Sequence, residues 1–261
     1  MIRKLHPKTL SFKVVALALA VPFGSGSSRA EVAVVTPPQV AFSVDAIALP
    51  PDIDFSILPA PPADDSSAGL ADLDVLLYVQ ANRTPEQVAF AKKMDGVSVF
   101  ELGQEVFGPW FTRENLPKTA AILRQVSRVT DKVKEDAKKK WERPRPYTRS
   151  ALVSPVVGKP GDAGSYPSGH TYGTATSEFV LAAAFPERAV QCDEMTHRIM
   201  WGRIVGGVHY PSDTEAGRLL AKVVMEKMLK TPAMRQAVET IRTEATPFLA
   251  ADKAPAADKA Q

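Results

Sequence analysis

A chain of 261 residues, 45% of them hydrophobic, is long enough to bury a substantial core as one large domain or two small ones. Its formal charge of +3 is local: Arg3, Lys4, Lys8, Lys13 and Arg29 stand in the first thirty residues without an acid, and removing these five charges leaves −2. The remainder has no positive excess that would argue for nucleic acid. The single cysteine, Cys192, excludes an internal disulfide and is expected to be a small buried apolar residue.

Residues 1–30 read as an export signal. A positive start precedes the apolar run Val14–Val21, then Pro22 and small residues, with Ser28 and Ala30 placed for cleavage after Ala30. The mature protein is thus expected to be periplasmic or secreted. The run is well short of the ~20 residues that span a bilayer, and no other stretch approaches that length, so no membrane span is expected. Residues 31–65, with "TPP", "LPPD" and "LPAPPADD", read as an extended proline-rich arm that is ordered where it lies on the body.

From Ser66 to about residue 246 the pattern is helical. Leu70, Leu73, Leu76 and Leu77 share one face after Ser66 and Ser67, which are candidate caps. Thr84 and Pro85 open a second helix, and Pro117 opens a long third that carries Ile122, Val126, Val129 and Val133 until Pro144 ends it. A Gly-, Pro- and Ser-rich loop runs to Ser165. Helices are then predicted in "SGHTYGTATSEFVLAAAF", "ERAVQCDEMTHRIMWGRIV", "SDTEAGRLLAKVVMEKML" and "TPAMRQAVETIRTEA", with a flexible tail over 247–261. "ALVSPVV" is the one modest strand candidate. The expected class is all-α: a single-domain helical bundle with a proline-rich N-terminal arm.

Three segments carry candidate chemistry. In "PSGH", Ser168 caps a helix whose first turn exposes unpaired N–H groups at the positive end of its dipole, a ready anion site. Gly169 leaves room for an oxyanion, and His170 would stand beside it, able to give or take a proton. In "KKKWERPRPY", Lys138 lies two helical turns before Arg145, which the flanking Pro144 and Pro146 hold in an extended turn. Both cations suit phosphate oxygens. Lys139, Lys140 and Arg143 read as a solvated cationic helix end. In "GRIVGGVHYPSD", Arg203 precedes a glycine turn, and Asp213 follows His209 by four residues, close enough to hold one ring nitrogen and turn the other outward. Charge neutralisation, a nucleophile and an acid are what phosphoryl transfer needs. Only Asp213 and Glu142 are acidic in these segments, which favours a site without metal.

The order and spacing of these segments resemble the type 2 phosphatidic-acid-phosphatase (PAP2) and vanadium haloperoxidase superfamily. The carriers are Lys138 with Arg145-Pro146, then Pro167-Ser168-Gly169-His170, then Arg203, His209 and Asp213. "ILPAPPADDSSAGLADL" further resembles the lead-in of bacterial class A non-specific acid phosphatases. Gly202 departs from the pattern, standing where the family has serine. The resemblance implies a helical fold and an acid phosphatase without cofactor, acting on small phosphate monoesters. In it His209 would form a phosphohistidine oriented by Asp213, and His170 would protonate the leaving alcohol and then activate water. Lys138, Arg145, Ser168, the Gly169 N–H and Arg203 would hold the phosphate oxygens. The alternatives are a vanadate-dependent haloperoxidase and a non-catalytic anion-binding relative. Assembly as a homo-oligomer is left open.

Overall fold

The computed structural model describes residues 42–54, 56–161 and 164–253. The expected export signal, 1–30, and the end of the expected tail, 254–261, lie outside the described residues. Among the described residues there are helices, turns and loops but no strand; "ALVSPVV" runs as turn and irregular chain. The helices are α1 (Ser67–Asn82), α2 (Pro85–Gly96), α3 (Val99–Phe107), α4 (Pro117–Trp141), α5 (Pro146–Arg149), α6 (Gly169–Ala184), α7 (Ala189–Val205), α8 (Pro211–Met228) and α9 (Pro232–Lys253).

Local chemistry sets most helix starts. The Ser66 hydroxyl accepts from Gly69 N at 3.1 Å, and Thr84–Gln87 and Ser98–Glu101 form reciprocal capping boxes on α2 and α3. The start of α4 lacks such a cap. Glu244 of α9 supplies it instead, accepting from Lys118 N at 2.8 Å and Thr119 N at 2.7 Å. α3 and α5 lie outside the elements read from the sequence; the capping box was the available signal for α3.

α6 sits at the centre, packed by α4, α7, α8 and α9. Its Tyr172, Ala175, Val180 and Leu181 meet a core that includes Ile122 and Val126 of α4, Ile199 of α7, Leu220 and Val224 of α8, and Ile241 of α9. Burying these apolar side chains is the main favourable term for the bundle. Cys192 is buried in this core as expected.

Two features differ from the sequence reading. α1 buries Gly69, Asp72 and Leu76 and leaves Leu70 51% exposed. A Cβ on Gly69 would meet Ala63 O at 2.0 Å, so α1 turns this face to the arm, and Asp72 reaches a buried arginine instead of water. At the other end, α9 continues past residue 246 to Lys253 through Pro247, and Phe248 stacks on Trp110 with ring centres 5.2 Å apart. The described part of the arm lies on the body: Ile47 and Leu58 are buried, Gln125 Nε2 donates to Ile47 O at 3.0 Å, and Tyr166 donates to Pro59 O at 2.6 Å.

Candidate active site

The site forms where α4, α6, α7 and α8 end or begin. α4 stops at Glu142, which adopts the left-handed conformation (φ 43°) and turns the chain away. Arg143 and Arg145 follow, each fixed in an extended stretch by the proline after it. α7 stops at a turn in which Gly207 has φ +75°, a conformation glycine adopts without strain. That turn delivers Val208 and His209 to the start of α8. The Ser168 N–H donates to Asp213 O at 2.9 Å, which ties the start of α6 to the first turn of α8.

His209 is buried and held at both ring nitrogens. Nδ1 lies 3.3 Å from Asp213 Oδ2, and Arg145 Nη1 lies 3.1 Å from Nε2. A carboxylate on one side and a guanidinium donor on the other dictate the tautomer: Nδ1 carries the proton and Nε2 keeps its lone pair. Burial, opposed by Asp213 and assisted by Arg145 and Arg203, pushes His209 down to about 3, so its imidazole is neutral. Asp213 is held below the usual carboxylate range although burial opposes this, because His209, Arg143 and Ser165 all favour its charge.

Asp213 accepts a dense set of hydrogen bonds. Oδ2 takes Tyr210 N at 2.9 Å, the Ser165 hydroxyl and His209 Nδ1, while Oδ1 takes Arg143 Nη1 at 2.7 Å. Arg143 is 3% exposed and continues through Nη2 to Asp72 at 2.8 Å. This corrects the sequence expectation of a solvated cation. The reason is that a buried charged chain, Asp72–Arg143–Asp213, requires a guanidinium to bridge its two carboxylates. The same pre-proline restriction that aims Arg145 applies to Arg143 and was the available signal.

The predicted cations converge on the same place. Lys138 is buried and donates to Gly164 O; desolvation and neighbouring Arg145 push it down to about 8. Arg145 also donates to Val208 O at 2.9 Å. Arg203 is fully buried, with Nη1 on Asp95, while its Nε and Nη2 have no hydrogen-bond partner. Buried unpaired donors on a guanidinium are costly unless an acceptor arrives. Asp95, which the sequence reading omits, occupies the last turn of α2, where a helix dipole disfavours an acid; that misfit was its signal.

Ser168 is buried and its Oγ accepts from Thr171 N at 3.4 Å and Thr171 Oγ1 at 3.1 Å, leaving its own proton for a ligand. A Cβ on Gly169 would meet nothing closer than Lys134 Cδ at 3.3 Å, with Lys138 Cε at 3.8 Å. Both neighbours are flexible lysine side chains that could shift, so protein packing alone does not demand glycine there. His170 is exposed at the rim. Desolvation by the protein around it, with Arg203 and Arg145, lowers it to about 4 against the opposing influence of Asp95. His170 and His209 thus lie within electrostatic reach of the same two guanidiniums. A cavity of about 510 Å³ opens beside Lys138, Arg145 and Tyr147, and one of about 370 Å³ beside Gly169 and His170. Among the described residues, no three His, Cys, Asp or Glu side chains are grouped to hold a metal ion.

Gly202, where the resemblance leads one to expect serine, is explained by packing. A Cβ there would meet Met94 Cβ at 2.6 Å, because α2 lies against α7 at this point.

Residues 120–235 match the family model of the PAP2 superfamily. Among curated proteins, the chain is 29% identical over 198 residues to the non-specific acid phosphatase of Salmonella typhimurium, covering 72% of this chain and 78% of that protein. It is 27% identical to the Salmonella typhi protein of the same name (72% and 78% covered) and 24% identical to that of Providencia stuartii (73% and 79%). The helical body over residues 120–235 thus resembles PAP2 superfamily domains, and the chain resembles non-specific acid phosphatases at 24–29% identity.

Proposed function

We propose that this protein is an exported acid phosphatase that hydrolyses phosphate monoesters through a phosphohistidine, without a metal. The observation that carries the reading is the setting of His209: Nε2 presents its lone pair toward Arg145, with Asp213 fixing the tautomer behind it. Arg145 exchanges Nε2 for a phosphate oxygen when substrate enters. Arg203 offers its unpaired Nε and Nη2, Lys138 a compact charge, and the first turn of α6 its N–H groups. Nε2 attacks phosphorus in line, the P–O bond to the leaving group breaks, and His170 protonates the departing oxygen. Asp213 compensates the positive imidazole that results. His170, now neutral, takes a proton from water, which attacks phosphorus and releases phosphate and His209. The name of the Salmonella typhimurium relative, a non-specific acid phosphatase, supports a broad range of small esters. No described helix is long and apolar enough to cross a membrane, and the basic, apolar start of the chain supports export.

The test is a rapid base quench of the enzyme with ³²P-labelled substrate in the presence of chelator. A base-stable, acid-labile label on the wild-type protein that is absent from His209→Ala is the expected result. Turnover abolished by the chelator, or label that persists in His209→Ala, overturns the mechanism. Amino-terminal sequencing of protein recovered outside the cytoplasm tests cleavage after Ala30.

A further inference from the structure

The phosphatase mechanism uses the face of Asp213 that meets His209 and leaves the other face unexplained. Oδ2 already receives three donors: Ser165 Oγ–H from the loop before α6, and His209 Nδ1–H and Tyr210 N–H from the α7–α8 turn. A carboxylate held only at Oδ2 can still swing about its bond to Cβ. Arg143 Nη1, which reaches Oδ1 at 2.7 Å, removes that freedom. The guanidinium is itself fixed from three directions. Nη2 meets Asp72 Oδ2 at 2.8 Å, Nη1 also reaches Ser212 Oγ at 2.8 Å, and Cζ sits over the Tyr210 ring, 4.0 Å from its centre. Asp72 in turn accepts from the backbone N of Ser212 at 3.2 Å, so one carboxylate from α1 braces both the arginine and the first turn of α8.

These contacts run between protein groups, although Arg143 also borders the cavity beside Lys138 and its buried Nε has no hydrogen-bond partner. Arg143 is 3% exposed, and both terminal nitrogens are engaged by protein oxygens. It stands behind the nucleophile, whereas Arg145, two residues on, stands in front of it. A helix end with two guanidiniums divided in this way assigns them different tasks.

We propose that Arg143, anchored by Asp72, is a positioning residue that locks the Asp213 carboxylate and so fixes His209 in the single tautomer whose Nε2 attacks phosphorus. The proposal rests on the phosphatase reading for its kinetic consequence but not for its structural one. The charges and titratable groups facing Asp213 are Arg143, Arg145 and Lys138 from the end of α4 and the turn after it, Tyr166 from the loop before α6, and His209 from the α7–α8 turn. Arg143 is the one of these that binds Oδ1.

Arg143→Gln is compared with wild type in two measurements. In ¹⁵N-histidine NMR of the whole protein, wild-type His209 is expected to give one Nδ1–H tautomer, and Arg143→Gln a mixture. With p-nitrophenyl phosphate, kcat is expected to fall about 10- to 100-fold while the inhibition constant of inorganic phosphate stays within about threefold. Arg143→Lys, which keeps a charge but cannot bridge two carboxylates, should recover part of kcat. An unchanged tautomer, or a loss that appears in phosphate affinity instead of kcat, overturns the proposal. Should Arg143→Gln fail to fold, Asp72→Asn decides the matter, since it retains the guanidinium and removes its anchor. The same tautomer mixing with a smaller loss of kcat supports the proposal, and a wild-type tautomer with wild-type kcat refutes it. A wild-type protein without phosphatase activity whose His209 tautomer still responds to Arg143→Gln would defeat the functional reading alone.

Discussion

His209 and His170 are the same residue within reach of the same two guanidiniums, yet the fold treats them in opposite ways. His209 is 1% exposed, lies at the end of the turn between two helices, and has a fixed partner on each ring nitrogen. His170 stands at the rim in the first turn of α6, where its surroundings lower its pKa but leave an edge in water. On the proposed mechanism, the difference follows from what each must do. A nucleophile gains from one orientation and one tautomer, whose cost is met in folding. A proton carrier must exchange its proton with an alcohol and then with water, so tight packing would defeat it.

The comparison breaks first, and most severely, at His209. On the proposed mechanism, replacing it with alanine removes the atom that bonds to phosphorus, so kcat should fall by more than about 10⁴-fold whatever the leaving group. His170→Ala should behave differently. General acid catalysis contributes about 10²- to 10⁴-fold, and its loss should be deep for an alkyl phosphate and shallow for p-nitrophenyl phosphate, whose leaving group departs without a proton. A steady-state comparison of the two esters checks both variants. Equal losses on both esters in His170→Ala would put that residue on phosphate binding instead of proton transfer.

A second way to sharpen the contrast is acid stability. Burial lowers His209 to about 3 in the folded protein from an ordinary value near 6.5. The unfolded chain therefore binds the proton more tightly over that window, and folding stability should decline as pH falls from about 6.5 toward 3. One such proton gives at most about 1.4 kcal/mol per pH unit. His170, lowered to about 4, acts with the same sign over the upper part of the window, and its exposed edge weakens the effect. Asp213 adds nothing until pH drops through the ordinary carboxylate range, below which its own stabilisation is lost. Urea midpoints from pH 7 to 4 should fall in wild type, flatten most in His209→Asn and less in His170→Asn. An unchanged slope in His209→Asn would mean that the imidazole is not held neutral.

These contrasts were legible in the sequence to different depths. Periodicity and proline-marked starts gave the helical class, and the spacing Lys138–Arg145, Ser168–Gly169–His170 and Arg203–His209–Asp213 named groups that the fold does bring together. What stayed hidden was the support behind them. Asp72 and Arg143 are separated by 71 positions, and nothing local marks two charged residues as partners when the pairing depends on how α1 docks. A leucine stripe over Leu70 and Leu73 competed with Asp72 for the same helix, and burial of the charge prevailed because Arg143 was there to receive it. Arg143 itself looked like a surface cation because lysines precede it. Asp95 was hidden for the same reason: its partner, Arg203, lies 108 positions away.

The mildest test moves a charge that both histidines share and leaves the carboxylate brace behind His209 in place. α2 lies on α7 at Gly202, and the first side-chain atom added there would come within 2.6 Å of Met94 Cβ, which cannot move without its helix. Met94 is followed by Asp95, the partner of Arg203, and Arg203 is among the charges that face His170. Gly202→Ser should therefore cost about 1–3 kcal/mol by overpacking. It should shift Asp95 and Arg203 while leaving the Asp72–Arg143–Asp213 brace untouched, since none of its contacts passes through α2. Thermal unfolding measures the first effect. The second is read from the two imidazoles by NMR, where the His170 resonances should move and the His209 tautomer should hold. Movement at His209 alone would show that the two halves of the site are not mechanically separate.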